Sequence, residues 1–554
     1  MNEKPWVAHY DYSVPSTLRY PQLLVHELLD IPVNLFPDKP FLNYFGTKIS
    51  FEELRNTALR MANALAELGV KKGDRVGINL PNTPQYVIGY YAIMYLGAIV
   101  VNYNPLLTAD ELKALVKQTK TSVFITFDMV LPTIKKVCES VEIPTIIATS
   151  VFDYLEGAEQ STPESMGMEP EWHHFSDLLK NSSSQKRPKV KISPNDAALI
   201  QFTGGTTGIP KGAVLSHANL TAATYSVTAW GTDLIKNIIP ENRTVMCVLP
   251  LFHVYANIVC MNWAVLNNAT MVLVPRFEID DFMNTLAGFE KISLFPAVPT
   301  MINAIINHPR FEEINPAKRI DLLLSGGAPI PVELMEKVNE LGIFCAEGWG
   351  MSETSSLGIT NPIIGKKKVG SIGIPFPSTD IKIVDLETAE NSVPAGEPGE
   401  LLIKSPLVMK EYWDNPEKTA EELKDGWLHT GDIVTQDEDG YLFVVDRKKD
   451  MVIAGGYNIY PRDIDEVLYQ HPKVMDAVAV GVPDEYRGET IKAFIVLKEG
   501  ETATDKEIID FCKEKLAIYK VPKIVEFRDD IPKSAVGKIL RRELREEEIA
   551  KLKN

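Results

Sequence analysis

The sequence predicts an α/β protein in two parts: a large, multi-layered N-terminal domain and a smaller α+β domain at the C-terminal end. Three observations carry this. The chain has 554 residues, more than one hydrophobic core sustains. For most of that length helical and strand patterns alternate, as they do where helices cover parallel strands. After Asp385 the texture shifts to short strands and turns, and a charged tract, Asp446-Arg447-Lys448-Lys449-Asp450, precedes a compact last unit.

Taken in order, an amphipathic helix is expected over 51–68, where Leu54, Leu59, Ala62, Leu65 and Leu68 recur near helical spacing. A strand follows at 75–80, closed by Pro81-Asn82. Residues 87–101 carry no charge but are only 15 in number, short of the roughly 20 a membrane-spanning helix needs. They read as a buried helix running into a strand. Short apolar runs predict strands at 122–127, 197–202, 244–249 and 270–274, and residues 156–189, polar and serine-rich, read as a surface excursion. Strands are expected again at 400–403 and 441–445. The last unit shows a helix at 461–469, strands at 477–482 and 492–497, and a helix at 505–516. The charged tract is the natural boundary, giving domains 1–445 and 451–554 with a hinge at 446–450.

Composition narrows the function. The formal net charge is −17, which excludes a chain that presents basic surface to nucleic acid. Five scattered cysteines with no paired spacing argue against a zinc site or disulfide framework and fit a reducing cytoplasm. No basic start followed by an apolar core marks a signal peptide. Homodimerisation and transient contact with a membrane surface are left open.

The strongest local signal is Thr203-Gly204-Gly205-Thr206-Thr207-Gly208-Ile209-Pro210-Lys211-Gly212, after an apolar strand and before a helix beginning near His217. Glycines let backbone N–H groups approach phosphates, while hydroxyls and a lysine add donors. Pro210 before Lys211 separates it from a P-loop.

The run resembles the signature loop of the adenylate-forming superfamily: acyl-CoA synthetases, luciferases and peptide-synthetase adenylation domains. Further matches follow in the family's order: Pro250-Leu251-Phe252-His253, Ser325-Gly326-Gly327-Ala328-Pro329, Glu347-Gly348-Trp349-Gly350-Met351-Ser352-Glu353-Thr354, Trp427-Leu428-His429-Thr430-Gly431-Asp432, the charged tract, and Pro532-Lys533-Ser534-Ala535-Val536-Gly537-Lys538. Pro5-Trp6, Tyr103-Asn104-Pro105-Leu106 and the Thr-Gly-Gly opening are similar to long-chain fatty acyl-CoA ligases. The resemblance spans the chain and implies the adenylate-forming fold with a mobile C-terminal lid. It also implies a fatty acid–CoA ligase that uses ATP, Mg²⁺ and coenzyme A. An aryl or other acid–CoA ligase, a luciferase-like oxygenase, a carrier-loading adenylation domain and a non-catalytic nucleotide-binding protein are the alternatives.

By the same resemblance, the nucleotide is held by Thr203 to Gly208 and Lys211, by Gly326, Gly327 and Ala328, by the run Glu347 to Ser352, and by Asp432 and Arg447. Glu353 and Thr206 hold Mg²⁺. Trp349 stacks on adenine where the family usually has tyrosine, and Ser352 replaces a threonine. Asp432 accepts from the ribose hydroxyls, and His253 positions the acyl carboxylate. Lys538 is the adenylation lysine. Lys449 is the hinge where several relatives have aspartate. Gly455-Gly456-Tyr457 lies beside the pantetheine path once the lid has turned. Residues 254–259 and 297–300 are expected along the acyl tunnel.

Overall fold

A computed structural model describes residues 4–203, 210–454, 457–484, 487–534 and 537–553. Its central layer is an eight-stranded sheet. Within it Arg75–Ile78, Ile99–Asn102, Val123–Phe127, Thr145–Thr149 and Ala197–Phe202 run parallel. The helix Phe51–Glu67 starts where Ser50 and Glu53 form a capping box. The uncharged stretch is, as expected, a helix, Pro84–Tyr95, buried at every position, leading into the strand Ile99–Asn102. A helix apolar all round belongs inside a large protein. Among the described residues no helix is long and apolar enough to cross a membrane.

One element was not expected. Between Lys211 and His217 the chain forms the strand Gly212–Ser216, antiparallel to Ala197–Phe202. The short strand Glu411–Tyr412 pairs with it on the other side. All five of its residues are buried, so it has no inside–outside alternation to betray it. Ser216 also caps the next helix, His217–Trp230, by accepting from the Asn219 N–H, which makes the strand read as a helix approach. The Thr/Gly loop is thus a hairpin connection. Thr203 N–H donates to Lys211 C=O at 2.8 Å across its base, while residues 204–209 lie outside the described residues.

A second parallel set, Phe295–Ala297, Leu323–Ser325 and Cys345–Met351, places the Gly326-Gly327 turn and the Glu347-to-Glu353 run at neighbouring strand ends. An antiparallel sheet of Asp380–Val384, Gly399–Lys404, Trp427–Gln436 and Leu442–Arg447 brings Asp432 opposite Arg447. The last part is α+β. The strands Val452–Ala454, Tyr457–Ile459, Val474–Asp484, Gly488–Leu497 and Ile524–Phe527 form one sheet. The helices Pro461–Tyr469, Asp505–Lys515 and Arg541–Lys553 accompany them. The main apolar core runs from Trp6 to Leu442, and a separate one from Val452 to Val525.

Candidate active site

The Pro250-to-His253 turn hangs from a buried polar network. Asn82 accepts from Leu251 N–H at 2.7 Å and donates to Leu249 C=O at 2.9 Å. Tyr86 donates to Leu251 C=O at 2.7 Å and reaches the Asn102 carbonyl oxygen at 2.8 Å. Asn102 donates to Gln201, and Gln201 to Phe252 C=O at 3.1 Å. Buried polar groups must be paired, so helix Pro84–Tyr95 and two strands of the central sheet fix where His253 sits. His253 Nδ1 accepts from Tyr255 N–H. Burial first, and the Lys538 charge second, hold its imidazole neutral with a pKa down to about 4.

Across from it, the Gly326-Gly327 turn lies against a ring. A Cβ on Gly326 would meet Tyr255 at 3.0 Å, and Gly327 takes φ +80°. Behind the turn, Tyr255 O–H donates to Leu324 C=O at 2.8 Å. Glu347, buried, accepts from Ile330 N–H with one oxygen and has no partner for the other. Burial pushes its carboxyl up to about 7, which Arg462 partly offsets. Two positions on, the Trp349 indole N–H donates to Asp432 Oδ2 at 2.8 Å, and Arg447 Nε lies 3.4 Å from Asp432 Oδ1.

Glu353 occupies the single turn Ser352–Thr354 and is buried. Its Oε1 accepts from Tyr412 O–H at 2.8 Å. Tyr412 also contacts Glu422, and Lys211 Nζ pairs with Glu422 at 2.6 Å while sitting 4.3 Å above the Tyr412 ring. Burial raises the Glu353 carboxyl above the ordinary range, and the Tyr412 hydrogen bond and Lys211 oppose that. Lys211, expected on the phosphates, is therefore anchored in an ion pair at the loop's base. A carboxylate of this kind suits a hard cation whose other ligands are phosphate oxygens. Among the described residues no group of three or more His, Cys, Asp or Glu could hold an ion without them.

Lys538 comes from the far side. Its turn is closed by Gly537 N–H to Ser534 C=O at 2.8 Å, and Gly537, at φ +71°, lies against Val298 and Thr300. The ammonium, half-buried and partly desolvated and faced by Arg447 and Lys449, has its pKa lowered to about 7, with Asp432 and Asp450 pulling the other way. Lys449 is lowered as well, by desolvation and then by Arg447. Lys538 thus feels the charges of Arg447, Asp432 and Lys449, and His253 feels that of Lys538. A second bridge between the two parts runs from Val332 N–H to Glu466 at 3.3 Å. Tyr457, at the start of a strand, stacks on Tyr519 with centroids 4.6 Å apart, outside this cluster. Gly204, Gly205, Thr206, Thr207, Gly208, Gly455 and Gly456 lie outside the described residues.

Comparison with known proteins decides the family. Residues 29–413 match the AMP-binding enzyme model and residues 463–538 the AMP-binding enzyme C-terminal domain. The chain belongs to the AMP-binding enzyme family. A long-chain-fatty-acid–CoA ligase of Bacillus subtilis is 41% identical, with 99% of this chain and 98% of that protein aligned. The Escherichia coli O6:H1 protein of the same name is 36% identical over the full length of both. Among solved structures, the anthranilate CoA ligase AuaEII in complex with anthranoyl-AMP superposes with TM-score 0.86 at 26% identity, covering 96% of this chain and 99% of that one. The ATP-bound MatB of Rhodopseudomonas palustris gives 0.83 at 27%, covering 95% and 99%.

In this AMP-binding enzyme, Tyr412 and Glu422 are site residues that sequence reading missed. They lie 59 and 69 positions beyond Glu353 (412 − 353 and 422 − 353) in a stretch without glycine-rich punctuation. The pairing of Glu411–Tyr412 with Gly212–Ser216 carries them to the base of the phosphate loop, where Met409 N–H also donates to Glu353 C=O at 2.8 Å.

Proposed function

We infer that this protein is an ATP-dependent, AMP-forming fatty acid–CoA ligase that works through an acyl-adenylate. The observation that carries the reading is the seating of the Lys538 turn, from the C-terminal part, against Val298 and Thr300, where the Lys538 ammonium feels Asp432 and Arg447 and bears on His253. Full-length identity to long-chain-fatty-acid–CoA ligases supports the substrate class.

In the proposed first step the acid's carboxylate, ionised at neutral pH, attacks the α-phosphorus of ATP and pyrophosphate leaves. No base is needed, so catalysis is electrostatic. The Lys538 ammonium neutralises charge where carboxylate and α-phosphate crowd. Neutral His253 lets the carboxylate approach without forming a competing ion pair. Trp349 and the Gly326-Gly327-Ala328 turn flank adenine, and Asp432 takes the ribose. Glu353, held by Tyr412, would bind Mg²⁺ with Thr206, and the ion would supply charge neutralisation of the triphosphate. In the second step the coenzyme A thiol attacks the acyl carbonyl and AMP leaves. The division 1–445, 446–450 and 451–554, with Lys449 as hinge, belongs to this proposal. So does exchange of Lys538 for Gly455-Gly456-Tyr457 between the steps, and so does a cytoplasmic location.

The acyl chain is proposed to run beside Val254–Ala256 and the helix Pro299–Ile306. Close by, an apolar cavity of about 30 Å³ is lined in part by Trp230, Leu234, Trp263, Leu324 and Phe376. That is room for about one water. The test is pyrophosphate release with straight-chain acids from C2 to C18, with and without coenzyme A. Release that depends on a long-chain acid, with acyl-CoA formed only when the thiol is present, is the expected result. Equal response to aryl acids, or oxygen consumption, would overturn it.

A further inference from the structure

The contact between Trp349 and Asp432 joins two parts of the nucleotide seat that lie 83 positions apart. Trp349 ends the buried part of strand Cys345–Met351, where the register shifts between Trp349 and Gly350. Gly350 has no room for a side chain there: a Cβ would lie 1.6 Å from Ser356 C=O. The strand is therefore pinned on one side and the indole projects on the other. Asp432 stands in Trp427–Gln436 with Arg447 as its cross-strand neighbour. Trp349 and Asp432 are both deeply buried, each 8% exposed.

A carboxylate has about four acceptor sites on two oxygens. The indole N–H occupies one on Oδ2, and Arg447 draws on Oδ1. One site remains on each oxygen, enough for two vicinal hydroxyls. Without the indole, only Arg447 at 3.4 Å, a half-buried side chain, would restrain rotation of the carboxylate. Indole is a donor only, so it cannot compete for the sugar's protons. A phenylalanine ring has no donor at all, and a tyrosine carries its hydroxyl at the far tip of a shorter ring system.

We propose that Trp349 is a positioning residue for ribose recognition: its indole N–H locks the Asp432 carboxylate so that the free acceptor sites face the 2′- and 3′-hydroxyls of ATP. The inference rests on the proposed assignment of Asp432 to ribose. It gives the indole a task beyond offering a flat face to adenine, and ties base and sugar recognition into one unit.

The test compares ATP with 2′-deoxy-ATP in pyrophosphate release by the intact enzyme. Two variants remove the donor. Trp349→Phe keeps an aromatic face. Replacement of Trp349 by β-(3-benzothienyl)-L-alanine keeps the whole bicyclic outline, with sulfur in place of N–H, and guards against a folding defect. Loss of a hydrogen bond to a charged group costs about tenfold to a hundredfold in kcat/KM for ATP. The decisive readout is the ratio of kcat/KM for ATP to that for 2′-deoxy-ATP. A loosened carboxylate gains less from the 2′-hydroxyl, so the ratio falls by about threefold or more in both variants. Weaker stacking alone would depress both nucleotides equally and leave the ratio unchanged, and that result overturns the proposal. Asp432→Ala separates the two levels. If it leaves the wild-type ratio intact, Asp432 does not read the ribose and the site assignment falls. If it abolishes the ratio while the Trp349 variants preserve it, only the role of Trp349 falls.

Discussion

Lys538 should give adenylation a pH dependence that an ordinary lysine would not. Desolvation first, and then the charges of Arg447 and Lys449, push its ammonium down from 10.5 to about 7. Protonation is the active form. The charge is present below pH 7, half gone at about 7, and lost roughly tenfold per unit above that. The assay is the single-turnover burst of pyrophosphate release without coenzyme A, so that no thiol ionisation enters. The second-order constant for ATP should fall above pH 7 with a slope approaching one, reporting the free enzyme. At saturating ATP the limb should move to higher pH, because the triphosphate holds the proton in place. Lys538→Arg keeps a charge at every pH tested, so its profile should lose the limb whatever its absolute rate. A constant that is flat from pH 7 to 9, or a limb that persists unchanged in Lys538→Arg, would refute the reasoning.

Lys538→Ala should abolish pyrophosphate release while leaving conversion of supplied acyl-adenylate to acyl-CoA largely intact; equal slowing of both would mean that the residue is structural or that the lid does not alternate. Glu353→Gln keeps size but removes charge, and should lower adenylation about 10²-fold, as for one electrostatic contact in the transition state; near-normal rates at limiting Mg²⁺ would place the ion elsewhere. Tyr412→Phe frees Glu353 from its donor, and a Mg²⁺ titration should show a raised half-saturation with a smaller loss at high Mg²⁺. Asn82→Ala strands the Leu251 N–H and the Leu249 C=O inside the protein and should lower stability by about 3 kcal/mol, read as a shift of the urea midpoint.

The fold was legible where pattern and period agree. Helix Phe51–Glu67 shows its apolar stripe in the sequence itself, and the length of the uncharged run argued against a membrane span. Strand Gly212–Ser216 was hidden because full burial erases alternation. The motifs named Trp349, Glu353, Asp432, Arg447 and Lys538 as candidates, but not their pairings and not Tyr412 or Glu422. Trp349 was read as a flat face, whereas its edge is committed to Asp432. Lys211 was read as a phosphate ligand from its place after the glycines; its partner Glu422 lies 211 positions away and no local spacing announces it. Register decides such contacts, and register is a property of the assembled sheet.

The Gly537 turn has a consequence for leakage. At its point of contact the Gly537 main chain packs against the side chains of Thr300 and Val298, too close for a methyl group unless they shift, since a Cβ there would lie 2.8 Å from Thr300 Oγ1. A side-chain gate can flicker open as its rotamers change, but a backbone stopper moves only when the whole turn moves. A turn seated this closely is expected to slow the approach of water, so that a mixed anhydride meets its thiol first. Alanine at Gly537 would act as a wedge, and the expected sign is futile cycling: ATP consumed and free acid regenerated without thioester.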